Sequence, residues 1–137
     1  MNKDFMELEE LPIVLVRSMN DTHLEEMTIM NKLSSAVRND NEISILKTLQ
    51  ELIEHTNIHF ITEEKLMEEI EFPNFNAHKS EHERHLRELK SVKTYFEKHK
   101  ESRAVYAYLE GNLKSWTIHH IETMDTEAAK FIKEKSS

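Results

Sequence analysis

Apolar residues recur at every third or fourth position in four long stretches of this chain, as they do in helices that each bury one face. Short polar breaks separate the stretches, and the 137-residue chain contains one glycine and two prolines. Glycine and proline are the residues that the tight turns of a β-protein need most often. The sequence therefore predicts an all-α protein.

The polar breaks give the approximate limits of four helices. The first three predicted helices run from Pro12 to about Arg38, from about Glu42 to Ile70, and from Phe75 to about Lys98. The fourth follows the polar stretch Lys98–Ser102 and runs to about Lys133. The breaks Asn39-Asp40-Asn41 and Phe72-Pro73-Asn74 supply N-cap residues for the second and third helices. Connections this short place successive helices side by side and antiparallel. We expect an up-down-up-down four-helix bundle that forms a single domain over residues 1–137, with residues 1–10 as an extended arm or a frayed start.

Composition excludes several classes of protein. The formal net charge is −8, and lysine and arginine are spread along the chain rather than gathered into a basic stripe, which argues against nucleic acid as a partner. The longest apolar run, Leu11–Val16, is far shorter than the ~20 residues of a membrane span, and no signal-peptide pattern opens the chain. We therefore expect a cytoplasmic protein with no membrane contact. The chain has no cysteine, so any metal site must use histidine and carboxylate ligands.

Ionisable residues lie on the inward face of all four predicted helices, where a bundle core buries them at a cost unless they are paired or bind metal. His59 and Glu63 are four residues apart on the second helix, and His78 and His82 are four apart on the third. Residues at that spacing share one face of a helix and lie about 6 Å apart along its axis. Each pair can therefore reach a single metal layer.

The first and fourth helices complete the candidate site. His23 lies on the first helix, and His120 and Asp125 lie five residues apart on the fourth. In an α-helix that interval separates two side chains by roughly 140° around the axis, which is awkward for binding one ion but workable for a larger cluster. Five imidazoles, two bridging carboxylates and one bridging oxygen fill all but one position of two octahedral ions. This ligand mixture suits iron, and the open position suits a diatomic ligand. A site so poor in anions favours reversible binding of O2 over oxygen activation.

Two other interpretations of these seven residues stay open. They could be a buried, hydrogen-bonded cluster without metal, although so many interior imidazoles and carboxylates would be costly. They could also hold zinc or manganese, because ligand type alone does not select one ion.

The candidate ligands lie within longer segments that have a familiar order. The segments are Asp21-Thr22-His23, the run HFITEEKLM that begins at His59, Phe72-Pro73, His78-Lys79-Ser80-Glu81-His82, and Trp116 through His120-Ile121 to Asp125. In this order they resemble the single-domain bacterial hemerythrins, and the resemblance covers nearly the whole chain. It implies two iron ions that share a bridging oxo or hydroxo group. One iron would be bound by His78, His82 and His120, and the other by His23 and His59. Glu63 and Asp125 would bridge the two irons. It also implies that O2 binds at the iron with two histidines.

The same resemblance assigns core residues to the lining of an oxygen pocket, namely Phe60, Met67, Trp116, Thr117 and Ile121. Thr117 stands where the family usually has leucine, and His85 stands where it usually has an aromatic residue. His55 lies four residues before His59 on the same face. We expect His55 and His85 to be polar residues with hydrogen-bond partners, and the pocket to be more polar and wetter than is usual in the family. The family's N-terminal tryptophan-containing segment is missing here.

Three further ionisable residues are expected to lie outside the metal site. Glu64 is predicted to be a solvated neighbour rather than a ligand. His119 points roughly 100° away from His120 along the helix, and we expect it and His99 to be surface residues.

The sequence thus favours a monomeric, non-enzymatic protein that binds O2 for storage, delivery or buffering. The main alternative is a di-iron enzyme that acts on peroxide or nitric oxide or serves iron–sulfur repair. A third possibility is an oxygen sensor that works through a separate partner.

Overall fold

Four helices make up most of residues 4–136, which are the residues that the computed structural model describes. Helix α1 is Arg17–Arg38, α2 is Glu42–Glu69 and α3 is Phe75–His99. The fourth helix, α4, is continuous but mixed: α-helical segments Ser102–Tyr108, Lys114–His120 and Thr126–Lys135 are joined by π-helical turns Leu109–Leu113 and Ile121–Asp125. Neighbours along the chain pack together, and α1 also contacts α4. This confirms the predicted up-down-up-down bundle.

The first helix begins at Arg17 and not at Pro12, so its predicted start was wrong. The side chain of Asn20 explains the later start, because it makes two hydrogen bonds with the backbone of Val14. The N–H of Val14 donates to Asn20 Oδ1 at 2.9 Å, and Asn20 Nδ2 donates to the carbonyl of Val14 at 2.8 Å. These bonds hold the preceding segment in a non-helical conformation, and Ile13, which lies within the predicted first helix, is 86% exposed.

The N-terminal segment also differs from the predicted arm. Its described part contains a short 3-10 helix, Leu8–Glu10, and the side chains of Phe5 and Met6 are buried in the main apolar cluster. The side chain of Asn31 on α1 pairs with the backbone of Met6 through hydrogen bonds of 2.8 and 3.0 Å. The segment therefore packs on the bundle as part of its core.

The N-caps were predicted correctly for one helix and wrongly for the next. Asn41 caps α2, since its side chain accepts a hydrogen bond from the N–H of Ser44 at 3.1 Å. Asn74 precedes α3 but makes no capping hydrogen bond, and its side chain donates to Glu127 on α4 instead. Asn74 thus ties the α2–α3 connection to the last helix.

The two π-helical turns change which residues of α4 face the core. Each turn closes hydrogen bonds between residues five apart, so it shifts the following residues around the helix relative to a uniform α-helix. Tyr106 is three residues before the buried Leu109, yet it is 51% exposed, whereas Val105 and Tyr108 are buried. The inward face of α4 can therefore not be read from a constant spacing.

The buried apolar residues form clusters on both sides of the candidate ligands. The larger cluster lies at the end of the bundle that contains the α1–α2 connection. Its most fully buried members include Leu33, Ile45, Leu49, Leu89 and Phe96. The opposite end is closed by two smaller clusters, one around Met19 and Ile132 and the other around Met67 and Phe72. On each helix the candidate ligands lie between these ends. None of the helices in residues 4–136 combines the length and the apolar character of a membrane span.

Candidate metal centre

Helices α2 and α3 bring their two ligand pairs together around Glu63. The carboxylate is 2% exposed, and its two oxygens face different groups. Oε1 lies 2.9 Å from Nε2 of His78 and 3.3 Å from Nε2 of His82, while Oε2 lies 3.0 Å from Nε2 of His59. A carboxylate in this position can give one oxygen to each of two metal ions.

Asp125 on α4 divides its oxygens in the same way. Its side chain is fully buried. Oδ1 lies 3.0 Å from Nε2 of His78 and 3.1 Å from Nε2 of His120, while Oδ2 lies 3.0 Å from Nε2 of His23 on α1. Asp125 is therefore a second carboxylate that can bridge two ions.

The π-helical turn Ile121–Asp125 explains why His120 and Asp125 can act together. In a uniform α-helix, residues five apart are separated by roughly 140° around the axis. A π-helical turn pairs residues five apart, so it brings both side chains to the same face. The awkward spacing expected from the sequence is removed by the local backbone.

The seven candidate ligands form two overlapping groups, and within each group the ligand atoms lie within 4.8 Å of one another. One group is Glu63, His78, His82, His120 and Asp125, and the other is His23, His59, Glu63 and Asp125. The shared members are the two carboxylates. The structure thus brings together all seven residues that the sequence singled out, in two halves.

Several ligand atoms in this cluster fit metal ions better than they fit one another. Within the described part of the chain, five of these buried atoms make no hydrogen bond of good geometry, although each lies within 3.3 Å of another ligand atom: His23 Nε2, His82 Nε2, His120 Nε2, Glu63 Oε1 and Asp125 Oδ2. Buried polar atoms without well-directed hydrogen bonds are costly and rare. Because they converge on the same space, two cations would satisfy them, and imidazole with carboxylate is a donor set for iron, zinc or manganese.

Without metal the cluster is a network of ion pairs. Burial and the nearby Asp125 raise the pKa of Glu63, but hydrogen bonds from the surrounding histidines outweigh both and lower it to about 2. Burial lowers the pKa of His78, but hydrogen bonds to Asp125 and Glu63 raise it to about 9. A metal ion must therefore displace the proton that His78 holds at neutral pH.

The metal-free protein is expected to lose stability as the pH rises from about 7 to about 9. The pKa of His78 is about 9 in the folded state, against about 6.5 in an unfolded chain. The stability contributed by its protonated form is complete below about pH 6.5 and is lost as the pH passes through about 9. Thermal melts of the metal-free protein across this range measure the effect, with His78→Gln as a variant that should show a flatter dependence. A melting temperature that rises over the same range would contradict the assignment.

Two further carboxylates contact the ligands from outside. Glu64 Oε2 lies 2.9 Å from Nδ1 of His82, so Glu64 is a hydrogen-bond partner of a candidate ligand and not merely a solvated neighbour. Glu26 on α1 lies 3.2 Å from Nδ1 of His59. Glu26 was not predicted from the sequence, although its place three residues after His23, on the inward face, was a usable signal.

Aromatic rings form a wall beside the centre. Phe60 stacks on His82 with ring centroids 3.8 Å apart. Trp116 stacks on His85 at 3.6 Å and on His120 at 4.5 Å, and its indole N–H donates to Glu81 at 2.7 Å. The predicted pocket residues Phe60 and Trp116 therefore contact candidate ligands directly.

The other predicted pocket residues are all buried, but in different surroundings. Met67 packs in the cluster with Phe72, and Ile121 packs in the cluster with Met19. Thr117 follows Trp116 on α4, and within the described residues its hydroxyl is buried without a hydrogen-bond partner. The roles of these three residues in an oxygen pocket stay predictions.

The remaining histidines fall into two classes. His99 and His119 are exposed, as predicted. His55 pairs with Glu25 on α1 at 3.2 Å, which confirms that it has a polar partner. His85 is buried, and burial lowers its pKa to about 3, so its stacked ring is neutral.

Known proteins that resemble this chain in sequence or in fold are named as hemerythrins. Similar curated proteins include the bacteriohemerythrin of Aquifex aeolicus, which is 29% identical over 112 residues that span 82% of this chain and 86% of the relative. The bacteriohemerythrin of Methylococcus capsulatus is 27% identical over 106 residues, 77% of this chain and 79% of the relative. A crystal structure of a hemerythrin mutant has the same fold, with a TM-score of 0.77 at 23% identity over 93% of this chain and 95% of the other.

The family assignment rests on the extent of the sequence match. The family model of the hemerythrin HHE cation binding domain matches residues 12–132. That range contains all four helices up to the last turn of α4 and all seven candidate ligands. The chain belongs to the hemerythrin family.

Proposed function

We propose that this protein holds two iron ions between its four helices and binds O2 reversibly at that centre. The observation that carries the proposal is the pair of overlapping ligand groups that share Glu63 and Asp125. A shared carboxylate pair is what a two-metal centre needs, since each carboxylate can give one oxygen to each ion. The relatives named bacteriohemerythrin support the same function.

The proposed assignment follows the two groups. His78, His82 and His120 would hold one iron, His23 and His59 would hold the other, and Glu63 and Asp125 would bridge them. A reduced iron pair supplies the two electrons that binding of O2 requires. The single-domain organisation and the monomeric state expected from the sequence are part of the same proposal.

The surroundings of the centre favour a closed pocket. Apolar clusters lie towards both ends of the bundle, and the rings of Phe60 and Trp116 cover candidate ligands from the side. Such packing limits the access of water to the metals. Exclusion of water protects bound oxygen from protonation and loss, which a carrier requires.

A second candidate function, a di-iron enzyme acting on peroxide or nitric oxide, is favoured by the polar residues beside the rings. The hydroxyl of Thr117 is buried and has no hydrogen-bond partner among the described residues, and the carboxylate of Glu26 is buried nearby, against His59. Such groups can hold water and assist proton transfer in an enzyme. An oxygen sensor that acts through a separate partner would use the same metal centre.

Oxygen consumption separates the carrier from the enzyme. The iron-loaded, reduced protein is mixed with a known amount of O2 in the presence of excess mild reductant, and dissolved O2 is followed over time. A carrier takes up about one O2 per iron pair and then stops, and removal of oxygen under vacuum reverses the uptake. Continued consumption of O2 in proportion to the reductant would contradict a carrier and indicate an oxidase. Parallel assays with peroxide or nitric oxide as substrate test the other enzyme classes.

Replacement of Thr117 is expected to lengthen the lifetime of the oxygen-bound protein several-fold. Its buried hydroxyl can hold a water molecule beside the pocket, and water at that point can donate a proton and promote oxidative loss of the ligand. Thr117→Val removes the hydroxyl at nearly constant volume, and Thr117→Leu adds apolar bulk. The first-order decay of the oxygen-bound spectrum at fixed pH is the measurement.

Thr117→Ser is the matched control because it keeps the hydroxyl. It should decay at least as fast as the wild type, with unchanged iron content. If the valine and leucine variants decay as fast as the serine variant, Thr117 does not control water in the pocket.

A further inference from the structure

Glu26 is a buried carboxylate that the proposed metal ligation does not use. It lies on the inward face of α1, three residues after His23, and is 6% exposed. Burial of an ionised carboxylate is costly unless nearby groups stabilise it. Its contacts therefore indicate why the position carries a glutamate.

Two side chains of α2 fix the carboxylate of Glu26 in place. The hydroxyl of Thr56 donates to Oε1 at 2.8 Å. Nδ1 of His59 lies 3.2 Å from Oε2 and 3.4 Å from Oε1. Thr56 thus anchors one oxygen of Glu26, and the other oxygen faces the imidazole.

This contact determines which nitrogen of His59 is available to a metal ion. When Nδ1 donates its proton to Glu26, Nε2 is left as the electron-pair donor, and Nε2 is the atom that faces Glu63 at 3.0 Å. A carboxylate on the far nitrogen also makes an imidazole a stronger ligand. The carboxylate of Glu26 also lies against a second imidazole, since Nδ1 of His55 is 3.5 Å from Oε1.

The other half of the centre has an equivalent arrangement. Glu64 contacts Nδ1 of His82 at 2.9 Å. By contrast, Nδ1 of His23 and Nδ1 of His78 are buried and have no hydrogen-bond partner within residues 4–136. Each ligand group therefore contains at least one imidazole whose far nitrogen contacts an outer carboxylate.

We propose that Glu26 is a positioning residue for the two-histidine half of the metal centre: it orients His59 and adds a negative charge beside the ion that His59 holds. The proposal rests on the proposed metal centre but not on oxygen binding. It predicts that loss of the Glu26 charge weakens one of the two metal ions selectively, by about 10- to 100-fold, as other outer-sphere partners of metal-bound histidines do.

Cobalt(II) is a suitable probe because it reports binding without oxygen chemistry. Metal-free protein is titrated with Co2+ under nitrogen, and affinity is followed by calorimetry and by the visible absorption of the bound ion. The wild type should bind two ions per chain. Glu26→Gln keeps the volume and a hydrogen-bonding group but removes the charge, and it should weaken one ion about 10- to 100-fold while the other stays tight.

Glu64→Gln is the matched control, since it makes the same change beside His82 and should weaken the other ion. A double-mutant cycle assigns the halves. Glu26→Gln should have little further effect in a His59→Ala background but its full effect in a His82→Ala background. Thermal melts of the metal-free variants check folding, and if Glu26→Gln does not fold, Thr56→Val tests the same contact by releasing the anchored oxygen.

Two results would overturn the proposal. One is a Glu26→Gln protein that binds both cobalt ions as tightly as the wild type with the same absorption. The other is a Glu26→Gln effect that is undiminished in the His59→Ala background. If the wild type binds no cobalt, the proposed metal centre itself is contradicted, and with it the role of Glu26.

Discussion

Asp125→Ala is expected to leave the protein unable to hold two metal ions. Its side chain is fully buried, one oxygen faces His78 and His120, and the other faces His23 on the opposite side. Removal of this carboxylate takes a ligand from both ions and leaves four positive charges with one bridging carboxylate. We expect the affinity for both ions to fall by more than about 100-fold, beyond the range seen when only an outer partner is lost.

Metal content after gel filtration measures this change. Glu122→Ala is the matched control, because Glu122 lies in the same π-helical turn but is exposed. It should keep two ions and the wild-type spectrum. If the Asp125→Ala protein also kept two tightly held ions, Asp125 would not be a bridging ligand.

Removal of metal is expected to lower the melting temperature by roughly 10–20 °C. The candidate ligands come from all four helices, so an unfolded chain cannot hold them around the ions. A ligand present at about 1,000 times its Kd stabilises the folded state by about 4 kcal/mol, and in a chain of this size that corresponds to roughly 10–20 °C. The ion pairs that the ligands form with one another without metal offset part of this gain, so the shift should grow as the pH rises towards about 9 and those pairs are lost.

Thermal melts of the metal-loaded and metal-free forms at matched pH provide the test. Leu8 is 63% exposed and lies apart from the centre, so Leu8→Ala serves as a control that should leave the difference between the two forms unchanged. Coincident melting curves for the two wild-type forms would contradict a metal site in the core.

The sequence predicted most of the site because α-helical spacing maps directly onto a helix face. His59 with Glu63, and His78 with His82, are four residues apart, and each pair lies within an α-helical segment of the structure. For such pairs the sequence interval alone decides which side of the helix they share. The same reasoning fails where the helix is not uniform, which is why the joint position of His120 and Asp125 appeared awkward until the π-helical turn was seen.

What the sequence did not predict depends on contacts between distant residues. The early start assigned to the first helix was overridden by the side chain of Asn20, and the burial of Met6 depends on Asn31, twenty-five positions away. The contact between Glu26 and His59 joins two helices in the same way. A local pattern can place each residue on a face, but it does not say which residue of the next helix it meets.

The proposed function is tested by the metal content and the visible spectrum of one preparation. Protein expressed in iron-replete medium is analysed for metals, reduced under nitrogen, exposed to air and then deoxygenated. We expect about two irons per chain and an absorption band in the near-ultraviolet and visible range that appears with oxygen and disappears when oxygen is removed, over repeated cycles. One zinc or no metal per chain, or a spectrum that does not respond to oxygen, would contradict a di-iron oxygen-binding centre.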